Sequence, residues 1–123
     1  MEEGKTFVER RKYARLQESV EVRYTVIGKP GTVNAFSKNL SAGGLCIVTE
    51  EKLVAETPLQ LEIKIPDLKS LIIALGRVVW QQESKTITDL HSKRRFDTGI
   101  EFTGISDFDR FNINRYVMEH IEP

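Results

Sequence analysis

Several short stretches of this chain alternate apolar and polar residues, and this alternation is the feature that most constrains its fold. Residues 20–26 and 59–65 carry Val, Tyr, Leu or Ile at every second position, with charged or polar side chains between them. Residues 96–102 repeat the pattern. A period of two is typical of a β-strand that buries one face. Apolar stretches at 45–48 and 70–82 also predict strands, so we expect a mainly β protein.

Turn-forming residues separate these strands. Residues 28–31 contain two glycines and a proline, which favour a tight turn. An extended stretch at 32–37 follows, and residues 39–44 predict a second break in the chain. Residues 84–95 are polar and longer than a usual hairpin loop, so we expect an exposed, mobile loop there. About six short strands joined in this way favour a closed or nearly closed antiparallel barrel, because closure removes unpaired strand edges.

The end of the chain changes its period and predicts one C-terminal α-helix. Ser106 is a suitable N-cap, and Asp107 and Asp109 suit the positive end of a helix. We expect an apolar stripe to pack this helix against the barrel. The stripe comprises Phe108, Phe111, Ile113, Val117 and Ile121.

Length, charge and cysteine content limit the classes of function. A chain of 123 residues is expected to form one domain. Its 18 basic and 18 acidic side chains give a net charge of zero, which argues against a general nucleic-acid binder. No apolar run approaches the ~18 residues that span a membrane. The N-terminus does not resemble a signal peptide, and there is one cysteine, so we expect a cytoplasmic protein without a membrane span.

Residues that could support catalysis or bind a metal are scattered. His91 and His120 have no neighbouring cysteine, so we expect no metal site. Cys46 lies in an apolar strand and is expected to be a packed, inert thiol. The chain also lacks a phosphate-binding loop of the Gly-x-x-x-x-Gly-Lys type. We therefore expect neither an enzyme nor a bound cofactor.

The charge is uneven along the chain. Residues 5–15 contain five cationic side chains and one carboxylate, whereas residues 96–123 contain six carboxylates and two arginines. A solvated tail and a solvated helix face would explain this distribution, and an anion-binding segment would also explain it. We divide the domain into a flexible basic segment, residues 1–16, and a barrel with its helix, residues 17–123.

Two short motifs carry the functional information. Arg11 and Arg15 form Arg-x-x-x-Arg, which alone is a weak signal. Asn39, Ser41 and Gly44 form Asn-x-Ser-x-x-Gly, which occurs less often by chance. Their occurrence in this order, within a chain of about six predicted strands, is much more specific than either motif alone.

These residues resemble the PilZ domain family, whose members are bacterial receptors for the second messenger cyclic di-GMP. The family pattern is Arg-x-x-x-Arg followed by Asp/Asn-x-Ser-x-x-Gly, and the resemblance extends over roughly residues 8–119. Residues 76–80 and 99–102 also look like family strands. Two minor departures are the long loop at 84–95 and Asn rather than Asp at position 39, and Asn39 remains within the pattern. The resemblance implies a six-stranded antiparallel Greek-key β-barrel with a C-terminal helix.

The resemblance implies a ligand site at Arg11, Arg15, Asn39, Ser41 and Gly44. Arginine suits cyclic di-GMP because its planar fork binds phosphate and also pairs with the O6 and N7 atoms of guanine. Short polar side chains at the second motif can address a guanine edge or a phosphate while holding a turn. Glycine there would allow positive φ and a close approach to a ligand. The same residue types are also those of an ordinary tight hairpin.

Secondary candidates surround these motifs: Arg10, Lys12, Gly43 and Trp80. Arg10 could contact a second nucleotide, since PilZ domains can bind the ligand as an intercalated dimer. Trp80 could stack on guanine, although a tryptophan at a strand end is more often packed in the core. Tyr13 is expected to anchor the N-terminal segment on the barrel.

The resemblance predicts an effector or adaptor that binds cyclic di-GMP, changes its N-terminal conformation and regulates an unidentified protein partner. Two alternatives stay open at this stage. One is a PilZ-like protein-interaction module without ligand binding. The other is a small nucleic-acid-binding barrel, which the basic N-terminus suggests but which would need a row of exposed aromatic residues.

Overall fold

The computed structural model describes residues 12–84 and 94–121. Seven strands and one helix follow each other along the chain. They are β1 (Arg15–Leu16), β2 (Glu21–Val26), β3 (Val33–Ser41), β4 (Gly44–Thr49), β5 (Pro58–Lys64), β6 (Ile72–Glu83), β7 (Phe96–Gly104) and α1 (Asp107–His120).

Six of the strands close into an antiparallel barrel in the order β3-β2-β5-β6-β7-β4, and a pairing of β4 with β3 completes the ring. The short strand β1 pairs with the far end of β3, beyond the stretch of β3 that pairs with β2. Strands β2, β3 and β4 are joined in sequence, and β5 then returns beside β2, which is Greek-key connectivity. The predicted barrel and C-terminal helix are confirmed.

The alternating stretches bury the residues that the sequence assigned to the core. Val22, Leu61 and Ile63 are almost fully buried, while their polar neighbours in β2 and β5 face outward or lie partly buried. The turn before β3 also forms as predicted, with Gly28 and Gly31 at positive φ. These features follow directly from the period of two and from the conformational freedom of glycine.

The second predicted break is much shorter than expected. Strand β3 continues through Ser41, and only Ala42 and Gly43 connect it to β4. The prediction of a break over residues 39–44 was therefore wrong in its extent. Asn39 and Ser41 are polar because they lie on the outer face of a strand, while Leu40 between them is fully buried.

The helix forms with its predicted cap but packs through a different face. The backbone N–H of Asp109 donates to the Ser106 hydroxyl, which confirms the N-cap. Ile113 and Val117 are buried as expected, but Phe108 and Phe111 are 73% and 63% exposed. Successive residues turn by about 100°, so Phe111 lies nearly opposite Ile113 on the helix. Asn112 and Tyr116 complete the buried face instead.

Within residues 12–84 and 94–121, no helix is long and apolar enough to cross a membrane. No group of three or more His, Cys, Asp or Glu side chains is placed there to hold a metal ion. Most of the predicted loop at 84–95 lies outside the described residues.

Candidate functional site

A groove of about 550 Å³ lies on the outer surface of the barrel, over the neighbouring strands β3, β4, β7 and β6. This volume is within the ~300–1,000 Å³ that small-molecule sites usually occupy. Lys12, Tyr13 and Arg15, together with Arg110 in the first turn of α1, complete its wall. Seven residues predicted from the sequence line it: Lys12, Arg15, Asn39, Ser41, Gly43, Gly44 and Trp80.

Strand β1 fixes the position of Arg15. Its Cα pairs with that of Ser41, and the neighbouring Leu16 pairs with Leu40. Leu16 is buried, so it anchors the segment and leaves the Arg15 side chain exposed at the groove. The two sequence motifs therefore meet through a strand pairing. Arg10 and Arg11 lie outside the described residues, and their roles stay predictions, as does the flexibility of residues 1–16.

A β-bulge in β3 positions Asn39. The register between β3 and β4 shifts between Ser37 and Asn39, and a bulge changes which face later side chains occupy. The backbone N–H of Cys46 donates to Asn39 Oδ1 at 3.2 Å. The amide group of Asn39 donates to no other residue in the described part of the chain. It is therefore available to donate to an acceptor in the groove.

Ser41 stabilises the hairpin between β3 and β4. Its hydroxyl accepts from the Gly43 N–H at 3.1 Å and donates to the Gly44 carbonyl at 3.3 Å. The predicted turn-holding role of Ser41 is confirmed by these two bonds. The hydroxyl still lines the groove and retains a second lone pair.

Gly44 is required by strand packing and not by positive φ. Among the described residues only Gly28, Gly31 and Glu56 have positive φ, so the expectation for Gly43 and Gly44 was wrong. A Cβ on Gly44 would lie 2.1 Å from the carbonyl oxygen of Ile100 in β7. The absence of a side chain lets β4 and β7 approach each other beneath the groove.

Trp80 lies at the groove and not in the core. Strand β6 also contains a bulge, which lies between Val78 and Trp80, so Val79 and Trp80 both face outward. The indole is 45% exposed and lies over Gly99, where a Cβ would be 2.3 Å from its Nε1 atom. The reading of Trp80 as a core residue was therefore wrong. Simple alternation would have buried it, and the bulge reverses that outcome.

The groove is strongly positive although the chain as a whole is neutral. Lys12, Arg15, Arg77 and Arg110 line it, and Glu101 is its one carboxylate among the described residues, which gives a local net charge of +3. Arg77 donates to Glu101 and to Glu56. Lys12 and Arg15 form no ion pair within residues 12–84 and 94–121. An anion would balance the remaining charge.

Several groove residues escaped the sequence-based prediction of the site, among them Tyr13 and Arg110. Tyr13 is half-buried and packs against the barrel core, which confirms its predicted anchoring role. It also lines the groove, where its hydroxyl accepts from Arg110 Nη1 at 3.2 Å. Residues 97 positions apart form this contact, so no local spacing could have indicated it.

Cys46 also lines the groove, but its thiol is a poor nucleophile at neutral pH. It is 6% exposed, and burial together with the nearby Asp97 carboxylate raises the pKa of the Cys46 thiol. A raised pKa leaves little nucleophilic thiolate at neutral pH. The prediction of a packed thiol is confirmed by its burial.

Asp97 does not follow the alternation of β7. The sequence pattern places it on the polar face of this strand, but its side chain is buried and pairs with Lys38 at 3.1 Å.

Solved structures with the same fold share this architecture. The structure of Bacillus subtilis inhibitor of motility, MotI/DgrA, is 22% identical with a TM-score of 0.69, and the match covers 89% of this chain and 50% of that one. The Escherichia coli YcgR PilZ domain with c-di-GMP is 18% identical with a TM-score of 0.70, covering 89% and 90% of the two chains. The K. pneumonia MrkH–c-di-GMP complex is 14% identical with a TM-score of 0.71, covering 89% and 51%.

This chain spans about half the length of the Bacillus and Klebsiella chains that it matches. No curated protein matches it at the sequence level. The family model described as the PilZ domain matches residues 9–119, which is nearly the whole chain. Together with the closed six-stranded barrel, this match shows that the chain belongs to the PilZ domain family.

Proposed function

We propose that this protein binds cyclic di-GMP in the groove and acts as an effector or adaptor that responds to this second messenger. The observation that carries this proposal is that Lys12, Arg15 and Arg110 line the groove without carboxylate partners among the described residues, on a chain whose net charge is zero. Cyclic di-GMP is a dianion, and cations without carboxylate partners favour such a ligand. The fold neighbours YcgR and MrkH, solved with c-di-GMP, support the same choice of ligand.

Each part of the ligand has a complementary group in the groove. The exposed Arg15 guanidinium can bind a phosphodiester or a guanine edge through paired N–H groups. The free amide of Asn39 can donate to a phosphate oxygen or to guanine O6. The outward indole of Trp80 offers a flat surface for a guanine ring. Under this proposal the protein is a binding module and not an enzyme.

The single tryptophan gives a direct test. Titration with cyclic di-GMP should change Trp80 fluorescence saturably. Calorimetry should give a dissociation constant of micromolar order, because three or four charge-assisted contacts can supply a binding free energy of ~8 kcal/mol in magnitude. The substitution Trp80→Ala should weaken binding between about 5- and 150-fold, because base–aromatic stacking contributes about 1–3 kcal/mol. Calorimetry is the readout for this variant.

Phe108→Ala is the matched control, since this aromatic residue is 73% exposed and lies outside the groove. Its affinity should equal that of the wild type. Absence of saturable binding by the wild type would refute the proposal and favour the protein-interaction module. Tighter binding to an oligonucleotide, with a steep dependence on salt, would favour the nucleic-acid-binding barrel.

The proposal extends to a ligand-dependent change of the N-terminal segment. Arg11 lies four residues before Arg15 in the Arg-x-x-x-Arg motif. A dianion bound by both arginines would therefore hold the N-terminal segment against the hairpin between β3 and β4. An intercalated dimer of the ligand would engage Arg10 as well. The resulting surface would regulate a protein partner.

Amide hydrogen exchange tests this switch. Exchange of residues 5–16 should slow at least several-fold on addition of cyclic di-GMP, because charge-assisted contacts would order them. Exchange in β5, on the far side of the ring, serves as the internal control and should not change. Ligand binding without any slowing over residues 5–16 would reject the switch while leaving binding intact.

A further inference from the structure

Arg110, in the first turn of α1, lies in the groove without an ionic partner. Its Nη1 donates to the Tyr13 hydroxyl at 3.2 Å, and its guanidinium carbon is 5.7 Å from the centre of the Tyr13 ring. No carboxylate in residues 12–84 and 94–121 pairs with it. A full charge is thus held at the groove by a neutral phenol and its ring face.

The Nε–H of Arg110 makes this arrangement costly. The Nε atom is buried and has no hydrogen-bond partner in the described part of the chain. A buried donor without an acceptor loses its hydration and gains nothing in return, and the loss is larger for a charged group. Arg110 lines the groove, so a shift of its guanidinium toward the groove would let the Nε–H donate to a ligand atom there.

We infer that Arg110 is a third ligand-binding arginine, supplied by the C-terminal helix, and that Tyr13 holds it in place until an anion binds. This inference rests on the proposed function and adds a residue that lies outside both sequence motifs. A phosphate or guanine edge offers two acceptors in one plane, which suit the Nε–H and an Nη–H together. The guanidinium would exchange a single bond to a phenol for a paired, charge-assisted contact.

Tyr13 connects Arg110 in α1 to the N-terminal motif. Tyr13 lies between Arg11 and Arg15 in sequence, and its ring edge is 3.1 Å from where a Cβ on Gly43 would be. A shift of Arg110 from Tyr13 to the ligand would therefore change the contacts of the N-terminal motif and of α1 in one event. The helix and the N-terminal segment would respond to the same anion.

Calorimetry and NMR on the full chain test this inference. Arg110→Ala should weaken cyclic di-GMP binding at least about tenfold, as expected for loss of a charge-assisted contact. Arg110→Lys should also bind more weakly than the wild type, because lysine keeps the charge but lacks the planar fork. In ¹⁵N-labelled protein, the Arg110 Nε–Hε resonance, assigned by its loss in Arg110→Lys, should shift on ligand addition. Tyr13→Phe should bind at least as tightly as the wild type.

Arg115→Ala is the matched control, because Arg115 is exposed on the same helix and outside the groove. Its affinity should equal that of the wild type, and thermal melts of all variants identify any loss of fold. Wild-type binding with an unchanged dissociation constant in Arg110→Ala would overturn this inference and leave the proposed function standing. An Nε–Hε resonance that stays in place at saturation would also overturn it. Failure of the wild type to bind would instead refute the proposed function itself.

Discussion

Replacing Arg15 by alanine should reduce the affinity for cyclic di-GMP by about 10- to 150-fold. Each hydrogen bond to a charged group contributes about 1.5–3 kcal/mol, and Arg15 is exposed at the groove with no ion pair in the described chain to compete for it. Arg15→Lys should fall between the wild type and the alanine variant, since the charge remains but the fork is lost. Isothermal titration calorimetry of the three proteins measures these differences.

Arg23→Ala provides the control for charge. Arg23 lies on β2 outside the groove, where it pairs with Glu62 at 3.3 Å, and its loss should leave the affinity unchanged. The melting temperature of Arg15→Ala should stay close to that of the wild type, because exposed side chains seldom contribute much stability. Equal affinities for Arg15→Ala and the wild type would contradict the proposed site. Arg11→Ala tests the other motif arginine in the same way.

Replacing Gly44 by alanine should destabilise the barrel by about 2–3 kcal/mol or more. The added Cβ would lie 2.1 Å from the Ile100 carbonyl oxygen and 3.1 Å from the Glu101 Cα, so strands β4 and β7 would have to separate. Overpacking of this kind typically costs about 1–3 kcal/mol, and here the obstacle is backbone, which cannot rotate away. For a domain of this size we expect a melting temperature lower by roughly 10 °C.

Gly43→Ala is the neighbouring control. Its nearest obstacle is the Tyr13 ring edge at 3.1 Å, a side chain that can shift, so it should cost less than about 1 kcal/mol. Thermal denaturation followed by circular dichroism compares the two. If Gly44→Ala melted like the wild type but no longer bound ligand, Gly44 would serve ligand approach, and the packing explanation would be wrong.

The comparison of these two motif residues separates binding from folding. Arg15 and Gly44 both belong to the sequence pattern of the family, and a loss of binding in either variant would look the same in a binding assay alone. The structure predicts that Arg15→Ala loses affinity at unchanged stability, and that Gly44→Ala loses stability first. A motif position can therefore be required by strand packing even when it lines the groove.

Much of the fold could be predicted because it depends on local periodicity. Alternation in β2 and β5, the glycines at 28 and 31, and the cap at Ser106 each reflect a rule that acts over a few residues. The meeting of the two motifs was an expectation from family resemblance. The pairing of Arg15 with Ser41 explains how Arg15, the motif arginine that the structure describes, comes to lie beside the second motif.

The failed predictions share a different cause. Phe108 and Phe111 are apolar, yet the phase of α1 is set by how Ile113 and Val117 fit the barrel. Trp80 faces outward because of a bulge that no alternation rule indicates, and Asn39 follows a second bulge. A bulge adds one residue to one strand only, so its position depends on the partner strand and cannot be read from the strand itself.

The amino-acid order alone determined that this chain would be a β-barrel with one helix, because strands, turns and caps are encoded by neighbours, and the resemblance of two short motifs to a family pattern predicted where a ligand would bind. Only the tertiary structure decided which side chains share the groove: it turned Trp80 outward, brought Arg110 to Tyr13 across 97 positions, and gathered a charge of +3 on a neutral chain. Proximity between distant residues arises from barrel closure, which is a property of all the strands together, and from the packing of α1 against β1 and β3.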